Sequence, residues 1–181
     1  KKLGILGGGQ LGKMLIDVTR KWSIETYILD PNPDCPASNC CDVFYKGDFN
    51  NYQDVYNFGK KVDIITIEIE HVNVKALYKL EKEGIEVYPS PSNIELIQNK
   101  GVQKDFFKKN KIPTSNYKRF NNRKILSTYI SKTETRYPFM WKSETMGYDG
   151  KGVKLVRSLS DLDEINENSC VIEDVVDIKH E

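Results

Sequence analysis

The run Leu3-Gly4-Ile5-Leu6 breaks into Gly7-Gly8-Gly9-Gln10-Leu11-Gly12, and apolar residues then recur at helical spacing at Leu11, Met14, Leu15 and Val18. A buried strand, a glycine turn and an amphipathic helix in direct succession point to a parallel α/β unit, in which each strand needs a crossover before the next can lie beside it. The next segments keep that rhythm. Thr26 to Leu29 reads as a second strand, stopped by Asp30-Pro31-Asn32-Pro33, and a helix spans about 54–60. Asp63 to Glu70 is the clearest strand of the chain. A helix over 74–83 turns Leu77 and Leu80 inward and is capped by Gly84, and Glu86 to Pro89 is a short strand. Strands alternating with helices in this way predict a Rossmann-like parallel sheet covered on both faces.

From about residue 91 the texture changes. Residues 92–111 read as one long polar helical stretch broken at Gly101 and ended by Ile112-Pro113-Thr114, because proline disfavours helix for the residue before it. Beyond lie a strand near 116–120, a helix near 126–132, and two strands flanking Gly147-Tyr148-Asp149-Gly150-Lys151-Gly152. A helix over 158–166, N-capped by Ser158 or Ser160, leads to the apolar strand Cys170 to Glu173. This predicts a second, smaller α+β unit, with a boundary near residue 98.

Composition excludes more than it assigns. With 39% hydrophobic and 29% charged residues the 181-residue chain can bury a core and remain soluble, and Lys plus Arg, 27 against 26 acids, shows no basic excess for a nucleic-acid partner. No apolar stretch has the roughly 20 residues of a membrane span, and the early glycines rule out a long signal-peptide core, so a cytoplasmic location is the expectation. The four cysteines, Cys35, Cys40, Cys41 and Cys170, lack C-x-x-C spacing and are expected to be reduced thiols; His71 and His180 are too scattered for a metal site.

Two glycine-rich segments carry the chemistry. Gly7 to Gly12 satisfies G-x-G-x-x-G after a strand and before a helix, and Asp30 closes the second strand where a dehydrogenase would hold a ribose. NAD binding is therefore a candidate, opposed by Pro31, Pro33 and a second half that does not repeat the βαβ pattern. A turn that only lets strand and helix pack closely, or a helix N-terminus that attracts any phosphate, fits the same residues. The second segment, three glycines with Lys151 inside and Lys142 on the preceding strand, reads as a flexible lid over a nucleotide or as a solvated turn.

Gly7-Gly8-Gly9-Gln10-Leu11-Gly12-Lys13-Met14, Thr66-Ile67-Glu68-Ile69-Glu70-His71-Val72, Ile112-Pro113-Thr114 and Gly147 to Gly152 occur in that order and spacing. Together they resemble the ATP-dependent 5-(carboxyamino)imidazole ribonucleotide synthases of purine biosynthesis, a family of the ATP-grasp superfamily. Formate-dependent glycinamide ribonucleotide transformylase is the nearest alternative within that fold, and an NAD-dependent oxidoreductase or a non-catalytic nucleotide-binding module are the alternatives outside it. The resemblance runs the length of the chain but covers only the N-terminal half of family members, so a fragment that is inactive alone is expected. The implied fold is α/β. Residues 1–98 form a Rossmann-like preATP-grasp substrate domain. Residues 99–172 form the small α+β lobe of an ATP-grasp domain with its glycine-rich lid, and 173–181 begin the nucleotide hinge and large lobe.

The resemblance also implies roles. Lys142 and Lys100 contact the ATP phosphates, with Gly147, Gly150 and Gly152 in the lid. Glu173 meets the adenine amino group, Val176 offers backbone contacts, and Glu181 holds the ribose hydroxyls. The aminoimidazole ribonucleotide lies over Gly9, Gln10 and Leu11, with Glu70 bonding its amine and Glu68 in support, since period 2 puts both on one strand face. Tyr148 and Lys151 close over the substrate, and Met146, where relatives carry glycine, stiffens that closure. The implied reaction is attack of bicarbonate on the γ-phosphate of magnesium-bound ATP, giving carboxyphosphate, and carboxylation of the substrate's exocyclic amine. The magnesium ligands lie in the half that this chain does not match, no metal ligand is expected here, and relatives form homodimers.

Overall fold

The computed structural model describes residues 1–133, 137–145, 152–165 and 168–179, and the chain divides into two compact units, Lys1–Glu95 and Leu96–Glu181. In the first unit, among the described residues, the strands are β1 (Lys2–Leu6), β2 (Glu25–Asp30), β3 (Val43–Lys46), β4 (Ile64–Ile67) and β5 (Glu86–Tyr88). All pair in parallel, in the order β3-β2-β1-β4-β5. That is the doubly wound arrangement expected from strand–helix alternation, with its crest at β1.

Successive side chains on each strand enter different cores. Leu6, Leu29 and Ile65 join the larger core under α2 (Tyr52–Gly59) and α3 (Val74–Lys82), with Phe58, Leu77 and Leu80. Ile5 and Ile28 point the other way, to Ile16 of α1 (Gln10–Thr19) and Ala37. Two of these helices start at side-chain caps. Asn51 and Asn73 accept hydrogen bonds from first-turn N–H groups of α2 and α3, and Gly84, at φ +91°, turns the chain out of α3.

Three expectations shift here. The helix after the glycine turn buries Gly12, Ile16 and Thr19, and leaves Leu11, Met14 and Val18 exposed. Gly12 decides this rotation: a Cβ there would sit 3.0 Å from the Gly7 carbonyl oxygen, so only glycine lets this face approach the turn. The strand β3 escaped the pattern because Val43 to Lys46 is short and partly exposed; Asp42 fixes its start by accepting from Thr26 N and Oγ1 at 2.7 and 2.9 Å. The strand expected to reach Glu70 ends at Ile67.

The second unit holds an antiparallel sheet of β6 (Tyr117–Phe120), β7 (Phe139–Ser143), β8 (Val153–Val156) and β9 (Cys170–Asp174), in the order β6-β9-β7-β8. One face carries Phe120, Phe139, Trp141, Cys170 and Ile172 into a core with Leu126 and Ile130 of α6 (Arg123–Lys132) and Leu162. The residues between them form the opposite, polar face. The long polar helix is two helices, α4 (Pro91–Ile97) and α5 (Lys100–Lys109), and the break falls at Asn99, whose Oδ1 accepts from Val102 N at 2.9 Å. Gly101 is not the break; it is buried in the first turn of α5, where a Cβ would lie 2.3 Å from Arg119 Nε and 2.4 Å from Glu144 Oε1. The segment expected as a helix over 158–166 is a 3₁₀ turn, Leu159–Glu164.

A Cβ at Gly59 would fall 2.3 Å from Leu80 Cδ1 and 2.9 Å from Ile65 Cδ1, both on fully buried side chains. Gly59→Ala should therefore lower stability by about 1–3 kcal/mol through overpacking. Urea unfolding checks this, and an unchanged midpoint would show that α2 and α3 can spread apart.

Candidate functional site

In the first unit the chain leaves β1 through Gly7, at φ +97°, and enters α1 at Gly9. No side chain caps α1, so its first-turn N–H groups face outward beside the exposed Gln10 and Leu11. Glu68 follows β4 directly, held by its N–H on the Leu6 carbonyl at 2.8 Å. Its carboxylate lies on the turn: a Cβ at Gly9 would be 2.4 Å from Oε1, and one at Gly7 2.7 Å from Oε2. That carboxylate has no hydrogen-bonding or ionic partner among the described residues. A cavity of about 150 Å³ adjoins it, lined by Leu11, Gly12, Leu15 and Ile67 among others. Glu70 Oε1 lies 3.7 Å from His71 Nε2. The shared strand face is lost because the strand stops before either acid.

Asp30 is not free to hold a ribose. It is 8% exposed, and its two oxygens accept from Gly8 N and Asn32 N, each at 2.8 Å. The acid that makes G-x-G-x-x-G read as a dinucleotide site is consumed in folding the turn itself. Cys35 packs beside Gly8, its thiol pushed up in pKa by burial, and Cys35, Cys40, Cys41 and Cys170 are all free thiols.

In the second unit, register places Lys142 opposite Val171, and Met140 and Tyr117 opposite Glu173, so these residues share the polar face. Glu173 is 5% exposed and is gripped by three donors: Lys142 on Oε1, and Lys104 and the Ser115 hydroxyl (2.5 Å) on Oε2. Lys104 reaches from α5 and also donates to Thr114 Oγ1 and Ser115 Oγ at 2.7 and 2.9 Å. Burial pushes the Glu173 carboxyl up, but Lys104, Lys142 and Ser115 outweigh it and hold the pKa at about 2.

A second buried acid, Glu144, directly follows β7. Arg119 grips it with Nε and an Nη at 2.6 and 3.0 Å, and gives its other Nη to Asp105 at 2.5 Å. Tyr117 Oη also donates to Asp105, at 2.7 Å, and the two donors lower that carboxyl's pKa. The main chain of Glu144 accepts from Lys100 N at 2.8 Å, which ties the start of α5 to the end of β7. Ser143 N donates to the carbonyl of Gly152, at φ +73°.

The residues expected to bind ATP are thus placed unequally. Lys142, Lys100, Glu173 and Gly152 fall around one sheet face and its flanking helix, and Val176 is exposed just beyond β9. Gly147, Tyr148, Gly150, Lys151 and Glu181, with Met146, lie outside the described residues. Glu173, whose implied partner is the adenine amino group, is faced by Lys104 and Lys142. Sequence reading passed over Lys104, Ser115, Arg119 and Glu144. Lys104 follows Lys100 by one helical turn, but a lysine on a polar helix reads as a solvated charge until its acid partner is located.

A parallel unit carrying a glycine turn, followed by an antiparallel lobe with a lysine-bearing face, is the arrangement expected of the ATP-grasp class. The ribonucleotide synthetase preATP-grasp domain family matches residues 1–98 and the ATP-grasp domain family residues 105–181. The chain belongs to the ribonucleotide synthetase preATP-grasp family, continued by an ATP-grasp domain. It is 40% identical over 167 residues to a phosphoribosylaminoimidazole carboxylase of Candida glabrata, covering 90% of this chain and 29% of the relative. Carboxyaminoimidazole ribonucleotide synthase of Aspergillus clavatus, solved with ATP, superposes at TM-score 0.88 with 33% identity, over 99% of this chain and 48% of that one. The same Aspergillus enzyme in complex with ADP and 5-aminoimidazole ribonucleotide gives TM-score 0.83 at 30% identity, over 99% and 47%. The chain therefore spans half or less of the length of these relatives.

The depressed pKa of Glu173 sets a pH dependence. Its folded value of about 2 lies below the ordinary 4.5, so the stabilisation it confers is complete above 4.5 and is lost as pH falls toward 2. Acid titration of thermal stability should show this decline, and Glu173→Gln should flatten it. An unchanged slope in the variant would place the acid sensitivity elsewhere.

Proposed function

We propose that the protein to which this chain belongs carboxylates the exocyclic amine of 5-aminoimidazole ribonucleotide at the expense of ATP, with bicarbonate as co-substrate, in purine biosynthesis. The observation that carries the reading is the partnerless Glu68 carboxylate over the uncapped start of α1. A ligand with a phosphate for the helix N-terminus and an amine for the carboxylate fits that pairing, and an aminoimidazole ribonucleotide has both. Gly9, Gln10 and Leu11 frame the substrate. Glu68 lies nearest the turn, and Glu70 is assigned a supporting place.

The polar face of the second unit is assigned to ATP. Lys142 and Lys100 meet phosphates, Gly147, Gly150 and Gly152 shape the lid, and Val176 and Glu181 serve the base and ribose. Tyr148 and Lys151 act at the reacting groups. Magnesium enters with ATP and neutralises its phosphates. The described residues include no group of three His, Cys, Asp or Glu able to hold a metal, and Glu173 is already spent on lysines, so no ligand is assigned here. We assign the protein to the cytoplasm and to a homodimer, with small molecules as its ligands; no described helix is long and apolar enough to cross a membrane.

The full-length protein should release ADP only with bicarbonate present and faster with aminoimidazole ribonucleotide, and Lys142→Met should cut the rate by about 10²-fold. Stimulation by formate plus glycinamide ribonucleotide instead would move the assignment to another ATP-grasp ligase. The NAD reading is disfavoured by Asp30, and tight NADH binding would restore it.

A further inference from the structure

Glu144 is where separate elements of the second unit are fastened together. Its N–H donates to the Ser169 carbonyl at 3.0 Å, and its own carbonyl accepts from Lys100 N at 2.8 Å. Its buried carboxylate accepts from Arg119 Nε and Nη2, on β6, at 2.6 and 3.0 Å, with Asn99 Nδ2 3.4 Å away. Arg119 gives its remaining nitrogen to Asp105 of α5, whose other oxygen accepts from Tyr117 Oη. The first turn of α5 lies directly on the pair, because Gly101 has no Cβ to strike Arg119 Nε or Glu144 Oε1. The helix is thus tied to the sheet at Lys100, its first residue, and again at Asp105.

Lys142 of β7 stands two residues ahead of Glu144 in the chain. Lys104, one turn beyond Lys100 on the same side of α5, meets Lys142 at Glu173, so that side of the helix is turned to the face from which Lys142 projects. Lys100 and Lys142 are therefore mounted on two elements whose separation is set at Glu144. A buried ion pair adds little net stability over apolar packing, but a guanidinium–carboxylate fork fixes distance and direction as apolar contact does not.

We propose that the Glu144–Arg119 fork is a positioning device of the nucleotide site: it sets the spacing between Lys100 and Lys142 so that both ammonium groups can lie along one polyphosphate chain. Glu144 and Arg119 touch no nucleotide themselves, since every guanidinium nitrogen and both carboxylate oxygens already have partners. The carboxylate also takes up the positive end of α5, which leaves phosphate contact at this helix to the Lys100 side chain. This rests on the reading of the second unit as the ATP-binding lobe.

Titration of the full-length protein with ATP tests this in a double-mutant cycle. Arg119→Lys keeps the charge and loses the fork, and should weaken ATP binding about tenfold. Added to Lys100→Met, the same substitution should cost less than about twofold, because the fork acts through Lys100. A loss by the same factor in both backgrounds would report general damage to the lobe and overturn the proposal, as would unchanged ATP affinity in Arg119→Lys alone. Should Arg119→Lys not fold, Glu144→Gln, which keeps the shape of the side chain and removes its charge, is carried through the same cycle. A loss that vanishes beside Lys100→Met then supports the proposal, and an equal loss or none overturns it. Wild-type protein that does not bind ATP overturns the ATP reading itself, before any variant is compared.

Discussion

A carboxylate taken out of water must be met by cations or hydrogen-bond donors, and the second unit is arranged around two that are. Glu173 draws Lys104 from α5 and Lys142 from β7 to one point, and Glu144 draws Arg119 from β6 and the start of α5 to another. Removing Glu173 would leave two ammonium groups facing each other, and removing Glu144 would leave Arg119 with Asp105 alone. Replacing the charges by apolar groups could stabilise the lobe, since buried pairs seldom exceed their desolvation cost. The pairs therefore make better sense as devices that fix where cationic side chains stand on the open face.

The first unit solves a different problem with the same means. Its turn has to present bare N–H groups at the start of α1, and a turn of consecutive glycines has no side chains to hold it. Asp30 supplies the missing constraint by accepting from Gly8 and Asn32, and the Ala37 N–H adds a bond of 2.8 Å to the Gly8 carbonyl. An acid that looks like a ligand contact is in fact what keeps the ligand-facing backbone in shape.

Local periodicity made the architecture legible. The strand–helix alternation specified a parallel sheet, and the Gly84 cap is local enough to be seen in the chain, whereas the caps at Asn51 and Asn73 emerge from the structure. What stayed hidden depended on partners far apart in sequence. The rotation of α1 is set by contact between Gly12 and the turn, not by which of its residues are most apolar. Lys104 and Glu144 acquire meaning only through Glu173 and Arg119. The acids at 68 and 70 are placed on one strand face, with Glu70 ahead of Glu68, only when alternation is extended past Ile67, where the strand gives way to a bend.

Both units lay a glutamate against a glycine at the beginning of a helix, and comparing the two shows which acid is available to a ligand. At Gly101, in the first turn of α5, a Cβ would strike Glu144 at 2.4 Å; at Gly9, before α1, it would strike Glu68 at the same distance. In each case the absent side chain lets an anion approach the positive end of a helix, where it is favoured. The outcomes diverge through what else is within reach. Glu144 is saturated by the Arg119 fork, with Asn99 Nδ2 at 3.4 Å, so its charge is spent on the fold. Glu68 has the glycine turn beneath it and a small cavity beside it, and among the described residues nothing opposes its charge. The same local geometry makes a structural anchor where an arginine completes it, and where none does it leaves an unopposed carboxylate over a helix start, the one we propose meets substrate.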